Sequence, residues 1–281
     1  MDLSLTLLDR VVSIAYKAGQ EIIKIYEKGE PTVQKKSDKS PVTEADLMAD
    51  QIIQKGLALL SPDQLTIPIV TEESITSTEE TIRIMTQEGY AWVVDPLDGT
   101  RDFIAKTGDF AVCIALVLNG KPVLGVVHCP WHSITLGGVN GQGAYSYSSL
   151  SQNGGTRTSV HCRSFEKESL TLLVSRFHTP KLRDTLEQHF PGCTLKVAGS
   201  AYKYCLIALG KVDLSVRRSP TSLWDIAAAQ CILTEAGGGI VDFAGNPLTY
   251  NHGSLINPPL IAHGFVDQKQ KIIEHVSHIL S

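Results

Sequence analysis

Apolar residues recur at helical spacing in several stretches of the chain, and these stretches predict its helices. Over residues 5–26 the spacing of three and four residues predicts an amphipathic helix. A second helix is predicted over residues 44–60, with Thr43 as its N-cap. Further helices are predicted over residues 180–190, 200–209, 224–236 and 268–280. Gly210 and Gly237 are typical of helix ends and mark the ends of the two middle ones.

Short apolar runs bounded by turn residues predict the strands. Two such runs, over residues 110–118 and 122–128, are separated by Asn119-Gly120, which is a strong hairpin signal. One apolar run ends abruptly at Asp95 and predicts a buried strand. The other predicted strands cover residues 67–70, 133–136, 143–147, 170–175 and 212–216.

The pattern changes about halfway along the chain. Residues 152–158 are polar and rich in glycine, and they indicate a boundary between lobes. We therefore predict an α/β protein with an α+β lobe over residues 1–155 and an α/β lobe over residues 156–281. Residues 34–41 are polar and charged without an apolar anchor, and they predict a mobile loop.

Composition and charge exclude several classes of protein. Hydrophobic residues make up 43% of the 281 residues and charged residues 19%, as in ordinary globular proteins. The net charge of −4 argues against a nucleic-acid-binding protein, and it means that an anionic substrate needs local cations or a metal. Six scattered cysteines without a C-x-x-C pair favour reduced, buried thiols. We find no signal peptide and no apolar run of membrane-spanning length, and predict a cytoplasmic location, with peripheral association at the inner face of the membrane as an alternative.

Two carboxylates, Asp95 and Asp98, end the buried apolar run and are followed by Gly99 and Thr100. Acids at this position are oxygen ligands for a hard divalent cation, and glycine lets the backbone approach an anion closely. The alternative is a plain turn that reverses the chain. The D-x-x-D spacing differs from the D-x-D-x-[TV] of phosphatases that form a phospho-aspartate. The sequence also contains no P-loop motif.

Three other acids are candidates for the same site, and each also has a purely structural interpretation. Glu72 follows a short apolar run, although acidic pairs in loops are usually solvated. Asp225 begins a predicted helix, where it would complement the helix dipole or bind a metal. Asp46 completes a capping-box pattern with Thr43.

Several cationic and polar residues are candidates for contacting an anion. Lys203 lies in the first turn of a predicted helix, where a cation opposes the helix dipole unless an anion is bound with Ser200. Arg217 ends an alternating strand and is either a surface residue or a phosphate ligand. His178 is ambiguous, because a lone histidine is more often structural. Lys35, Lys36 and Lys39 form a solvated loop or steer an anionic substrate.

Two long motifs resemble the signatures of the inositol monophosphatase superfamily, which are lithium-sensitive phosphatases. They are Asp95-Pro96-Leu97-Asp98-Gly99-Thr100-Arg101-Asp102-Phe103 and Trp224-Asp225-Ile226-Ala227-Ala228-Ala229-Gln230. Within the superfamily the chain looks most like the CysQ-type 3′(2′),5′-bisphosphate nucleotidases, over essentially its whole length. Supporting segments include Gly199-Ser200-x-x-Lys203 and Pro220-Thr221-x-x-Trp224-Asp225.

The resemblance implies a layered αβαβα sugar-phosphatase fold with two or three Mg²⁺ ions. One ion would be held by Glu72, Asp95 and the Leu97 carbonyl, and a second by Asp95, Asp98 and Asp225. Asp46 and Thr100 would activate the attacking water, while the Gly99 and Thr100 amides would contact the scissile phosphate. A two-metal site supplies the nucleophile and neutralises the leaving group without a covalent intermediate.

The resemblance further implies a substrate, 3′-phosphoadenosine 5′-phosphate, cleaved to AMP and phosphate. The second phosphate needs a cationic subsite, for which Ser200, Lys203 and Arg217 are the candidates, with His178 near the nucleoside. Alternatives are a sugar phosphatase acting on inositol phosphates or fructose bisphosphate, and a non-catalytic nucleotide or metal sensor. The chain is expected to be a monomer or homodimer.

Overall fold

Helices and sheets alternate in five layers in the computed structural model of the chain. The structure describes residues 2–29, 31–35, 41–60, 66–75, 77–151, 154–164, 170–176, 180–265 and 269–280. The described helices are α1 (Leu5–Lys28), α2 (Glu44–Ala58), α3 (Thr78–Thr86), α4 (Thr100–Ile104), α5 (Pro180–His189), α6 (Tyr202–Ala208), α7 (Leu223–Glu235) and α8 (Lys269–Leu280).

A seven-stranded sheet forms the first β layer. A two-stranded hairpin of β1 (Val33–Lys35) and β2 (Pro41–Thr43) precedes it. In spatial order the sheet contains β3 (Ile69–Thr71), β4 (Tyr90–Asp98), β5 (Ala111–Leu118), β6 (Lys121–Cys129), β7 (Ile134–Val139), β8 (Gly143–Ser151) and β9 (Gly154–Val160). The first two strands are parallel and all later neighbours are antiparallel. Strands β5 to β9 are joined by short connections, as expected for antiparallel hairpins.

A five-stranded mixed sheet forms the second β layer. Its strands are β10 (Thr171–Val174), β11 (Thr194–Val197), β12 (Leu214–Arg217), β14 (Gly239–Asp242) and β16 (Leu260–His263), in the spatial order β11-β10-β12-β16-β14. Strands β10, β11 and β12 are parallel to one another. The short strands β13 (Thr221–Ser222) and β15 (Ile256–Asn257) pair separately.

Both faces of the seven-stranded sheet are covered by helices. On β7, Gly137 faces Leu8 of α1, whereas the next residue, Gly138, faces Ile232 of α7. This follows from the alternation of side chains along a strand. Helix α7 is buried on nearly every side, which agrees with its apolar sequence. It forms the middle layer with α6, and residues of both sheets pack with these helices in one apolar core.

The outer face of the second sheet is covered by α5 and α8. Leu186 of α5 and Val276 of α8 pack in one core with Leu214 and Val216 of β12. The order of layers is therefore α1/α2, first sheet, α6/α7, second sheet, α5/α8. This arrangement confirms the predicted α/β class and αβαβα layering.

The sequence pattern predicts the long elements well and the short ones poorly. Helices α1, α2, α5, α7 and α8 and the hairpin strands lie within a few residues of their predicted positions. The prediction of a loop over residues 34–41 is wrong at both ends, because Gln34 pairs with Val42 and Lys35 with Pro41 in the first hairpin. Residues 36–40 lie outside the described residues. The elements that were not predicted are β1, β2, β9, β11, β13, β14, β15, β16, α3 and α4.

The predicted division into lobes at residue 155 stays a prediction. Strand β9 begins at Gly154 and continues the first sheet to Val160, whereas the second sheet begins at Thr171. The six cysteines are free and five of them are buried, as expected. None of the helices in the described part of the chain combines the length and apolar character needed to cross a membrane.

Close packing of α7 on β6 depends on Gly125. A Cβ atom at this position would lie 2.3 Å from the Ala228 carbonyl oxygen, which belongs to the helix backbone. We expect Gly125→Ala to lower the free energy of unfolding by about 1–3 kcal/mol or more, because a backbone contact cannot relax like a side chain. Gly138→Ala is the matched control: its Cβ would be 3.2 Å from Ile232 on the same helix, and the loss should be smaller. Denaturant unfolding measures both, and equal losses would contradict this packing argument.

Candidate active site

A β-bulge at the end of β4 directs two carboxylates to the same cavity. Strand β4 continues to Asp98, three residues beyond the predicted end. Asp95 pairs with Cys113 and Asp98 with Ala111, so β4 contains one residue more than β5 over this interval. Side chains three residues apart would face opposite sides of a regular strand. The extra residue of the bulge brings the side chains of Asp95 and Asp98 to the same side. Both carboxylates consequently line one cavity.

The cavity brings together acids from three separate elements. Ligand atoms of Glu72, Asp95 and Asp225 lie within 4.8 Å of one another, and the three residues could hold a metal ion. Asp98 lines the same cavity, which has a volume of about 310 Å³. Glu72 follows β3 in a short 3₁₀ helix, and Asp225 lies in the first turn of α7, where the Ser222 amide donates to it at 2.9 Å. The sheet and the central helix therefore supply one cluster of oxygen ligands.

The pKa values of these acids reflect burial and mutual repulsion. Burial and then the charges of Glu72, Asp98 and Asp225 raise the pKa of Asp95 well above its usual range. Burial raises the pKa of Asp98 to about 6, with Lys203 opposing the rise. For Asp225, burial and then Asp98 raise the pKa to about 7. The cluster therefore resists ionisation in the absence of positive charge, and a bound cation would reverse this.

Asp46 combines a structural role with a position beside the cavity. Its Oδ2 accepts from the Thr43 amide at 2.8 Å and the Thr43 hydroxyl at 2.5 Å, which forms the predicted capping box of α2. Its Oδ1 remains available and lies 3.1 Å from the Thr100 hydroxyl. That hydroxyl is also 3.3 Å from the Leu97 carbonyl. The capping box of Asp46 is confirmed through one carboxylate oxygen, and the other oxygen contacts Thr100, its predicted partner.

Gly99 permits a close approach between the two halves of the site. It has a left-handed backbone with φ of 92°. A Cβ atom here would lie 2.7 Å from the Asp109 carbonyl oxygen and 2.9 Å from the Ser200 Cβ. Glycine is required at this position because both the conformation and the contact exclude a side chain.

The turn at Ser200 connects the second half of the chain to Asp98. Ser200 is buried and has φ of 46°, an uncommon conformation for a non-glycine residue. This turn directs the Ala201 amide to the Asp98 carboxylate. Lys203 is almost fully buried and donates to the Ser200 carbonyl at 2.8 Å. Lys203 is not among the residues that line the cavity, so it supports the turn from behind.

Arg217 lines the cavity and has a buried Nε without a partner in the described part of the chain. It follows Leu214 and Val216, which face the outer core, and it lines the cavity together with Ser200 and Asp225. Its Nε atom is buried and has no hydrogen-bond partner among the described residues. An unpaired buried N–H group is costly, and the guanidinium of Arg217 supplies positive charge to the lining of the cavity.

Asp109 joins segments that are distant in the sequence. It accepts from Arg176 at 2.9 Å and from the Gly199 amide at 2.9 Å, and it lies 3.0 Å from His132 Nε2. Burial raises its pKa, but the hydrogen bonds from His132, Gly199 and Arg176 outweigh burial, so the pKa is lowered. Arg176 also contacts Asp102 at 3.3 Å. This ion-pair network fixes the backbone immediately before Ser200.

Most residues that line the cavity were predicted from the sequence, whereas Asp109 and Arg176, which fix the backbone around it, were not. Of the predicted site residues, Glu72, Asp95, Leu97, Asp98, Gly99, Thr100, Ser200, Arg217 and Asp225 line the cavity. His178 and the loop residues Lys36 and Lys39 lie outside the described residues. Arg101 and Asp102 also line the cavity and were not proposed as site residues, although they belong to the quoted motif. Asp109 and Arg176 carry no local signal, because their partners are far away in the sequence.

The donor set fits a hard divalent cation such as Mg²⁺. Carboxylate and carbonyl oxygens are the ligands such ions prefer, and a bound cation would favour the ionised form of these acids. The described residues thus provide carboxylates for a cation, a hydrogen-bonded Asp46–Thr100 pair, and an arginine for an anion. This combination suits hydrolysis of a phosphate ester.

The stability of the metal-free protein should depend on pH through the carboxylate cluster. Because the pKa values of Asp98 and Asp225 are raised on folding, ionisation of these two acids destabilises the folded protein. Their contribution to the free energy of unfolding is therefore retained at low pH and lost as the pH rises from about 4 to about 7. We expect the melting temperature in chelator to fall over this range relative to the melting temperature in excess Mg²⁺. Thermal unfolding with and without Mg²⁺ measures the difference. Asp95→Asn should flatten the pH dependence in chelator, and an unchanged slope would contradict this account.

Comparisons with known proteins agree with the geometry of the site. The model of the inositol monophosphatase family matches residues 6–279. The chain is 36% identical to the 3′(2′),5′-bisphosphate nucleotidase CysQ of Escherichia coli (strain K12), covering 90% of this chain and 97% of that protein. It is 35% identical to CysQ of Haemophilus influenzae, over 92% and 93% of the two chains. The crystal structure of CysQ from Bacteroides thetaiotaomicron superimposes with a TM-score of 0.78 at 32% identity, over 94% and 99% of the chains. The chain therefore belongs to the inositol monophosphatase family and is of the CysQ type.

Proposed function

We propose that this metal-dependent phosphatase hydrolyses the 3′-phosphate of 3′-phosphoadenosine 5′-phosphate to give AMP and phosphate. The observation that carries the proposal is the convergence of Glu72, Asp95 and Asp225 within 4.8 Å, beside the hydrogen-bonded Asp46 and Thr100. The substrate is inferred from the similarity to bisphosphate nucleotidases over nine-tenths of the chain.

Mg²⁺ would be held by the acids that line the cavity. In the proposed arrangement Glu72, Asp95 and the Leu97 carbonyl hold one ion, and Asp95, Asp98 and Asp225 hold a second. When bound, such ions lower the pKa of water and neutralise charge on the phosphoryl and leaving oxygens. The chain contributes the geometry, because the β4 bulge and the Ser222 and Ala201 amides fix three of the carboxylates.

Asp46 and Thr100 are the proposed pair that orients the attacking water and accepts its proton. The Thr100 hydroxyl has a single proton, which it can donate to Asp46 Oδ1 at 3.1 Å. Its oxygen lone pairs then remain available to accept a hydrogen bond from water. Burial raises the pKa of Asp46, which improves a carboxylate as a proton acceptor. Thr43 holds the other oxygen, so the carboxylate cannot rotate away.

The scissile phosphate would be placed by the backbone after Asp98. Gly99 lacks a side chain, and its amide and that of Thr100 are proposed to contact the phosphoryl oxygens. Donors fixed before the reaction stabilise the charge that develops in the transition state. The close contacts of Gly99 with Asp109 and Ser200 hold this backbone in place.

The second phosphate of the substrate is proposed to meet the cationic side of the cavity. Arg217 provides positive charge in the lining, and Ser200 lines the same cavity. Lys203 is proposed to act indirectly, through its hydrogen bond to the Ser200 carbonyl and its charge near Asp98. His178, near the nucleoside in our sequence-based proposal, lies outside the described residues.

The substrate is tested by steady-state hydrolysis with Mg²⁺ on a panel of phosphate esters. The panel contains 3′-phosphoadenosine 5′-phosphate, 3′-AMP, inositol 1-phosphate and fructose 1,6-bisphosphate. We expect the highest kcat/KM for the bisphosphate nucleotide. A higher kcat/KM for inositol 1-phosphate or fructose 1,6-bisphosphate would replace the proposed substrate, and absence of hydrolysis across the panel would favour a sensor.

Asp46→Asn should abolish most of the turnover while metal binding is retained. Loss of the proton acceptor typically lowers kcat by about 10²–10⁴-fold, and Asn can still accept from Thr43. We expect Asp95→Asn to lower both kcat and the Mg²⁺-induced thermal shift, because Asp95 is a proposed metal ligand. Measuring kcat and this shift separates the two roles. Near-normal kcat in Asp46→Asn would remove Asp46 from the mechanism.

Arg217→Gln should raise KM for the bisphosphate more than KM for 3′-AMP, which lacks the second phosphate. Charge-assisted hydrogen bonds contribute about 1.5–3 kcal/mol, so an increase of about 10-fold or more is expected. Arg218→Gln is the matched control, because Arg218 is the next residue, is exposed and does not line the cavity. An equal increase for both substrates would contradict an anchor for the second phosphate.

A further inference from the structure

A second acid on α2 lies one helical turn after Asp46 and does not line the cavity. Asp50 is only 6% exposed and contacts Thr71 at the end of β3, whereas Asp46 contacts Thr100 at the start of α4. Its Oδ1 accepts from the Thr71 hydroxyl at 2.6 Å. Its Oδ2 accepts from Gln54 Nε2 at 2.6 Å and from the Ser74 hydroxyl at 3.0 Å. A buried carboxylate with three donors is a fixed group.

The protons of this network have a single consistent arrangement. The Thr71 hydroxyl donates its one proton to Asp50 and accepts from the Glu73 amide at 3.2 Å. The Ser74 hydroxyl donates to Asp50 and accepts from Gln54 at 2.7 Å. Gln54 uses one amide proton for each of these acceptors. Each of these hydroxyl and amide groups is therefore oriented by its hydrogen bond to the Asp50 carboxylate.

The two hydroxyl residues bracket the turn that carries Glu72. Thr71 is the N-cap of the Glu72–Ser74 3₁₀ helix, and Ser74 is its last residue. Thr71 also pairs with Val94, the residue before Asp95, in the parallel register of β3 and β4. Asp50 consequently holds both ends of a three-residue turn whose first member belongs to the carboxylate cluster.

We propose that Asp50 is a positioning residue that holds Glu72 in place for the metal ion. The proposal rests on the proposed function for the role of Glu72. Asp50 contributes no oxygen to the cluster, so its loss should weaken metal binding and leave the chemical step intact once metal is saturating. Groups that orient metal ligands typically change metal affinity by about 10–100-fold.

The test compares Asp50→Ala and Asp50→Asn with the wild-type protein in two Mg²⁺ titrations. One records the thermal shift without substrate, and the other records activity. We expect Asp50→Ala to raise the Mg²⁺ concentration at half-saturation by about 10-fold or more in both titrations, with kcat at saturating Mg²⁺ within about 2-fold of wild type. Asp50→Asn keeps one acceptor for Thr71 and should give a smaller increase.

Asp213→Ala is the matched control. Asp213 is also buried and accepts from Arg163 at 2.6 Å and from the Thr171 amide at 2.7 Å, but it lies immediately before β12, in the second half of the chain. The Asp213→Ala variant should have a lower melting temperature but an unchanged Mg²⁺ midpoint, which is the Mg²⁺ concentration at half-saturation. If Asp50→Ala does not fold, Thr71→Val and Ser74→Ala remove the two contacts separately, and each should raise the midpoint.

An unchanged Mg²⁺ midpoint in the folded variants would overturn the proposal. So would a loss of kcat that saturating Mg²⁺ does not restore, or a midpoint change of the same size in Asp213→Ala. The substrate-free titration separates this proposal from the proposed function. If the wild-type protein shows a Mg²⁺-induced thermal shift but hydrolyses no bisphosphate, the proposed substrate fails while the thermal-shift midpoints still decide the role of Asp50.

Discussion

Repulsion among buried carboxylates is the constraint on which the architecture around the site depends. Glu72, Asp95, Asp98 and Asp225 share one cavity, and burial together with neighbouring charges raises the pKa of Asp95, Asp98 and Asp225. A cation is the simplest compensation, but it binds well only if the oxygens are already in place. The chain places them with backbone structure rather than with flexible side chains. A bulge aligns two of the acids, and amides from the N-terminal turn of α7 and from the strained turn at Ser200 fix two of them.

Positive charge is arranged around this cluster at two depths. Lys203 is buried behind the Ser200 turn, and burial lowers its pKa to about 8. Arg217 lies in the cavity lining, where its Nε has no partner among the described residues. The deeper cation offsets the charge of Asp98, and the shallower one is available to an anionic ligand. This separation would allow an acidic protein to accept the proposed substrate with two phosphates, because the positive charge is local.

The supports of the site were harder to predict than its lining. Asp95, Asp98 and Asp225 lie in contiguous motifs, so their residue types and spacing predict them. Thr43 and Asp46 were predicted as a cap, since capping depends on local sequence. Asp109 joins residues far apart in the chain, and no local pattern reports such contacts. Strands of four residues were predicted unevenly, β10 and β12 correctly and β14 and β16 not at all, because so few residues carry little periodicity.

The sequence by itself determined the long helices, the hairpins, the acidic motifs and the family, because these depend on periodicity and on residues adjacent in the chain. Tertiary structure alone decided which acids meet. It brought Glu72 and Asp225 within reach of Asp95, although more than a hundred residues separate the outer two. It also placed Lys203, a predicted anion contact, outside the cavity lining and in a hydrogen bond to the Ser200 carbonyl. Distances between elements depend on how layers pack, and packing is a property of the whole fold rather than of any segment.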